Sequence, residues 1–123
     1  MTKQVLIIED DAFLQGLVVR KLTSSGFTVQ AAGQWSEAEM LIKTFSPDVF
    51  IVDLVLPGGT DGFGIISEIR KMNQFAQTPI IIFSNLSDEK DQTKAESLGA
   101  SLFMVKSNFT LDELVEKVNV LIK

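Results

Sequence analysis

The sequence predicts an α/β fold built on a parallel sheet, and three observations carry that reading. Apolar runs of strand length alternate with stretches of helical periodicity five times along the chain. Four of the five runs are continuously apolar, as strands buried on both faces are. Charged or hydroxyl side chains stand at the ends of these runs, where a buried strand reaches solvent. Strands alternating with helices imply a parallel sheet with right-handed crossovers.

The first strand is placed at 4–9, around Val5-Leu6-Ile7-Ile8. A helix over 12–24 follows, with Phe13, Leu14, Leu17, Val18 and Leu22 on one face. The second strand, 27–31, runs Phe27-Thr28-Val29-Gln30 and alternates more than the others, as an edge strand does. The second helix, 36–45, uses Ala38, Leu41, Ile42 and Phe45, and Ser46-Pro47 is expected to stop it. The third strand covers 48–53, and the third helix, 63–72, buries Ile65, Ile66, Ile69 and Met72.

The fourth strand covers 79–84, and a helix over 88–98 comes next. That helix offers only Ala95 and Leu98 as good core residues, with Ser87 to cap it and Gly99 to end it. So little apolar surface implies weak docking and local mobility, although composition alone reads as a well-solvated helix. The fifth strand covers 101–105. The last helix carries Leu111, Leu114, Val115, Val118 and Ile122 at helical spacing, after a Thr110–Glu113 capping box. It is expected to run to the last residue, with no output domain in view.

Composition narrows the chemistry. A chain of 123 residues is one domain with room for a hydrophobic core. It has no cysteine and no histidine, which excludes disulfides, thiolate or histidine metal sites, Ser-His-Asp catalysis and a phosphohistidine of its own. A net charge of −5 with scattered basic residues argues against direct binding of nucleic acid. No apolar run approaches the ~20 residues needed to cross a membrane. Met1-Thr2-Lys3-Gln4 has no signal-peptide layout, so a cytoplasmic location is expected.

In open parallel sheets, ligands bind beyond the carboxyl ends of the strands. There this chain places Glu9, Asp10 and Asp11; Asp53; Ser84 and Asn85; and Lys106. Two acidic mouths side by side would repel by roughly 4 kcal/mol per pair at ~4 Å and an effective dielectric near 20. A divalent cation and a lysine are the natural remedy. Asp11 is better read as the cap of the first helix than as a ligand. Taken singly, Ser84 reads as a turn residue, Lys106 as solvated and Phe103 as core. Together they supply what phosphoryl chemistry needs: an oxygen nucleophile, a metal site, a cation and a hydroxyl donor. A glycine-rich phosphate cradle is disfavoured at the first strand, because three acids occupy that turn.

These residues resemble the receiver domain of two-component response regulators over essentially the whole chain, read as one domain, 1–123. The matching pieces are VLIIEDD at 5–11, PDVFIVDLVLP at 47–57, DGF at 61–63, PIIIFSN at 79–85, GA at 99–100 and FMVK at 103–106. The resemblance implies a flavodoxin-like three-layer sandwich with sheet order 2-1-3-4-5 and five helices. It implies that Asp53 is the phosphoacceptor, and that Glu9, Asp10, Asp53 and the Val55 carbonyl hold Mg²⁺. It further implies that Lys106 pairs with the phosphoryl group, and that Ser84 and Phe103 are the switch residues. The implied partners are a sensor histidine kinase or histidine phosphotransfer protein, and a downstream target protein. The face built by helix four, strand five and helix five would change on phosphorylation, and it can also join two copies of the chain.

Three features depart from the family's usual pattern. The loop Pro57-Gly58-Gly59-Thr60-Asp61-Gly62 is one residue longer, and its paired glycines can absorb the insertion. Lys106 precedes Ser107 where the family usually has proline after a cis bond, a bond that costs ~2.5–4 kcal/mol without proline. It is therefore trans or strained, and the longer Asn108-Phe109 loop bears on where Lys106 sits. Asn85 replaces a smaller residue after Ser84 and bears on acyl-phosphate lifetime. Two other classes compete with a phosphoacceptor switch. A small Mg²⁺ phosphohydrolase would want an acid where Val55 stands. A phosphorylation-independent interaction module would not need the full set of site residues.

Overall fold

In a computed structural model, which describes residues 2–122, the five apolar runs pair into one parallel sheet. Its strands are β1 (Gln4–Ile8), β2 (Thr28–Ala32), β3 (Val49–Val52), β4 (Ile80–Ser84) and β5 (Leu102–Val105), in the order β2-β1-β3-β4-β5. The helices are α1 (Ala12–Ser24), α2 (Trp35–Leu41), α3 (Gly62–Lys71), α4 (Glu89–Leu98) and α5 (Leu111–Leu121). This is the flavodoxin-like three-layer arrangement, with β2 at an edge. The register pairs Ile8 with Val52 and Val52 with Ile82, so the carboxyl ends of the three central strands lie side by side.

Side-chain alternation along the strands divides the core into two layers. Leu6, Ile8, Phe50, Val52, Ile80 and Ile82 face α2, α3 and α4, where they meet Trp35, Ala38, Ile65, Ile66, Ile69 and Ala95. Val5, Ile7, Val49, Ile51, Ile81, Phe83 and Met104 face α1 and α5, against Val18, Leu22, Leu114 and Val118. Since β3 and β4 are buried on both faces, a slip in register would draw their polar ends into the apolar core.

Several ends depart from the sequence expectation. Phe13 is not on the buried face of α1: it is 76% exposed, because it lies well round the helix from the face on which Leu14, Val18 and Leu22 pack. The second helix begins at Trp35 and ends at Leu41, four residues before the expected 45. Its last residues tighten into a turn in which Phe45 N–H reaches Leu41 O, so Pro47 stands beyond the stop. Asp88, not Ser87, caps α4 by accepting the Lys90 N–H. The Thr110–Glu113 capping box forms as read, and Asp11 caps α1 through Leu14 N–H.

Candidate functional site

The ends of β1, β3 and β5 converge on one charged cluster. The Lys106 ammonium, brought in at the end of β5, lies 2.6 Å from Glu9 Oε1 and 2.9 Å from Asp53 Oδ2. Glu9 is 2% exposed and Asp53 7%, so both carboxylates are held away from bulk water. The Lys106–Ser107 bond is trans, since no described peptide bond is cis, and residues 106–108 form a short 3₁₀ turn. The altered sequence after Lys106 therefore leaves its side chain in the cluster.

Asp10 stands exposed at the rim. Carboxylate oxygens of Glu9, Asp10 and Asp53 all lie within 4.8 Å of one another, close enough to ligate one small hard cation. Three carboxylates face one ammonium, so two negative charges remain uncompensated. Burial pushes the Glu9 carboxyl above its usual range, despite hydrogen bonds from Lys106 and from the Asp11 N–H. Burial alone would pull Lys106 down. Hydrogen bonds to Glu9 and Asp53, and the charges of both, outweigh it and hold the ammonium above its usual value.

The β3–α3 loop shapes the Asp53 side of the pocket. The Val55 N–H donates to Asp53 Oδ1 at 3.4 Å, a long bond, and the Val55 side chain is exposed. Gly58 and Gly59 both adopt φ of +89°, the left-handed backbone that lets this loop turn. Gly62 is needed for a different reason. A Cβ there would approach Leu54 Cα to 2.6 Å and also press on the Asp53 carbonyl, and neither backbone atom can move aside cheaply. Gly62→Ala is expected to lower the unfolding free energy by about 1–3 kcal/mol, read as a lower urea midpoint. An unchanged midpoint would show that the loop yields more easily than its packing implies.

Ser84 and Phe103 are outside the ion-paired cluster among the described residues. Ser84 is buried at the end of β4, and its Oγ accepts the Leu86 N–H at 3.3 Å. Phe103 is half-buried and packs on the α2–α3–α4 side. Asn85 is exposed. Sequence reasoning missed two polar side chains. Gln15 donates to Glu9 O at 2.7 Å and to Ala32 O at 3.3 Å, which fixes the β1 mouth. Arg70, in the last turn of α3, donates only to backbone carbonyls. Neither ends an apolar strand, the signal by which the other residues were found.

Comparison with known proteins decides the family. A model of the response regulator receiver domain matches residues 5–119. The chain belongs to the response regulator receiver domain family. Transcriptional regulatory protein KdpE of Staphylococcus aureus is 36% identical over 121 residues, 98% of this chain and 50% of that protein. The probable transcriptional regulator ycf27 of Guillardia theta is 32% identical over 98% of this chain and 46% of its own length. This receiver chain thus spans about half the length of the curated relatives it matches. Among solved structures, the Francisella response regulator 1452 receiver domain superposes with a TM-score of 0.87 at 30% identity, covering 98% of this chain and 96% of its own. Vibrio cholerae CheY4 shares the fold, with a TM-score of 0.91 at 23% identity over 98% of this chain and 99% of its own. In a receiver, the acidic pocket at the carboxyl edge of the sheet is the candidate phosphorylation site. No helix among the described residues is long and apolar enough to cross a membrane.

Proposed function

We propose that residues 1–123 act as one cytoplasmic phosphoacceptor switch, taking a phosphoryl group onto Asp53 from the phosphohistidine of a sensor histidine kinase or histidine phosphotransfer protein. The observation that carries this reading is the buried Lys106–Asp53–Glu9 contact, with Asp10 completing a three-acid set. Mg²⁺ suits that set, which is all oxygen, and Glu9, Asp10, Asp53 and the Val55 carbonyl would hold it. When bound, the ion neutralises charge on the phosphoryl oxygens.

The chain's own residues do the rest. Asp53 offers a side-chain oxygen for in-line attack on phosphorus: a P–O bond forms as the P–N bond to the donor imidazole breaks. Lys106, already at hydrogen-bond distance from Asp53, is placed to neutralise charge on the transferred group. Glu9 holds the ammonium from its other side and keeps it aimed at Asp53. Ser84 exchanges its Leu86 contact for a phosphoryl oxygen, Phe103 turns inward, and the α4–β5–α5 face is rearranged for a downstream target protein or a second copy. Water later removes the acyl phosphate. A phosphohydrolase would need an acid two residues after Asp53, and the exposed Val55 stands there.

Intact-protein mass after incubation with acetyl phosphate tests this reading. The expected result is a gain of one phosphoryl group that requires Mg²⁺ and is absent in Asp53→Asn. A gain of equal size in Asp53→Asn would remove Asp53 from the role. No gain in the folded wild type, together with no Mg²⁺ binding, would favour an interaction module.

A further inference from the structure

Arg70 has no part in the proposed chemistry, yet among the described residues its guanidinium is the most heavily engaged polar side-chain group outside the pocket. Nε and Nη2 donate to Gly99 O at 3.1 and 2.7 Å. Nη1 donates to Phe75 O at 2.9 Å and to Thr78 O at 2.6 Å. All four bonds end on backbone carbonyls, so one side chain ties the last turn of α3 to the turn after it, to the lead into β4 and to the end of α4. Burial pulls its pKa down, but a guanidinium stays charged in protein surroundings. The partial negative charge at the carboxyl end of α4 partly replaces its lost hydration. Gly99 fits this contact closely, with φ of +116° and a position where a Cβ would come within 2.8 Å of Arg70 Nε.

The two ends of α4 are held unequally. At the carboxyl end, Ala95 is buried, Leu98 packs on the core, and Ala100 N–H bonds to Ala95 O at 3.0 Å. Ser101 joins β4 twice, through its N–H to Ile80 O at 2.8 Å and by accepting the Ile80 N–H on Oγ at 3.1 Å. At the amino end, residues 85–90 are all exposed, and the Asp88 cap is a bond within the segment itself. Toward the middle of α4, the Lys94 ammonium reaches α3, 4.2 Å from the centre of the Phe63 ring. That exposed amino-terminal segment begins one residue after Ser84.

We propose that Arg70 is the pivot of α4: it pins the carboxyl end at Gly99, so that a change at Ser84 becomes a swing of the amino-terminal half. The source of the motion rests on the switching function proposed above. The pin itself belongs to the unmodified protein and can be tested there.

Hydrogen exchange read by mass spectrometry on the full chain, before and after acetyl phosphate with Mg²⁺, tests it, with intact mass reporting phosphorylation. In the unmodified wild type, amides of 95–101 should exchange more slowly than those of 85–93. Phosphorylation should alter 85–93 and leave 95–101 within ~2-fold. Arg70→Gln should speed exchange of 95–101 by about tenfold or more without phosphorylation, and should spread the phosphorylation response along all of α4. Arg70→Lys keeps the charge but loses the planar fork, and should behave like Arg70→Gln. Val118→Ala, a cavity on the opposite side of the sheet, controls for loss of global stability. Equal acceleration of 95–101 in Val118→Ala and Arg70→Gln would overturn the pivot, as would equal exchange of the two halves in the wild type. If Arg70→Gln does not fold, Arg70→Lys supplies the same comparison with Val118→Ala. A protein that gains no phosphoryl group would count against the switching function, while the unmodified arm would still decide for or against the pin.

Discussion

Lys106→Met should lower the unfolding free energy at pH 7 by roughly 3 kcal/mol and slow phosphorylation by acetyl phosphate about 10²–10³-fold. The stability loss follows from what remains behind. Glu9 and Asp53 are both buried, and Lys106 is their shared cation. Removing one partner of a buried ion pair leaves uncompensated charge, at a cost of about 3–5 kcal/mol. The lower end is expected because Glu9 has an escape: it can take up a proton.

That escape sets the pH dependence. Without Lys106, Glu9 loses two of the influences that lower its pKa and keeps the burial that raises it. A carboxylate whose folded pKa lies above its unfolded value weakens the fold at high pH, and the penalty disappears below the unfolded value of 4.5. The deficit of Lys106→Met should therefore shrink as pH falls from 8 toward 5. In the wild type, Lys106 is itself raised, so its contribution is complete below the unfolded value of 10.5 and is lost only as pH rises through its folded pKa. Urea unfolding of both proteins at several pH values measures this. A deficit that grows on acidification would show that Glu9 is not the group left exposed to repulsion.

The same residues explain how much was legible in the sequence. Glu9, Asp53 and Lys106 could be found because each ends an apolar strand, and a parallel sheet gathers strand ends on one edge. The order of the strands was not carried by periodicity and came from the family resemblance. Phe13 misled because its spacing matches Leu17, while the face that packs on the core is that of Leu14, Val18 and Leu22. Arg70 was invisible for the opposite reason. An arginine in a last helical turn looks solvated, and only the tertiary path of 75–78 and 99 brings four carbonyls to it. The end of α2 was set by a local turn at Leu41–Phe45, which began before Pro47 could act.

Mg²⁺ should stabilise the wild type and leave Glu9→Gln and Asp10→Asn nearly unmoved, and the two variants should differ in its absence. At a Mg²⁺ concentration a hundred times its dissociation constant, linkage supplies about 2.7 kcal/mol, on the order of 10 °C in melting temperature for a domain of this size. Asp10 is exposed at the rim, so Asp10→Asn should change metal-free stability by less than ~0.5 kcal/mol. Glu9 is buried with its pKa raised, so Glu9→Gln removes a charge that the fold holds at a cost. Metal-free Glu9→Gln should melt at or above the wild-type temperature, although it gives up one bond to Lys106. The position would then trade stability for a cation site. Acidification adds a second signature. Protonated Glu9 cannot ligate, so the stabilisation by Mg²⁺ should fade as pH falls through the raised Glu9 pKa, above 4.5. Thermal melts with and without Mg²⁺ between pH 5 and 8 measure both effects. A full Mg²⁺ response in Glu9→Gln, or one independent of pH over that range, would place the cation away from the acidic mouth of β1.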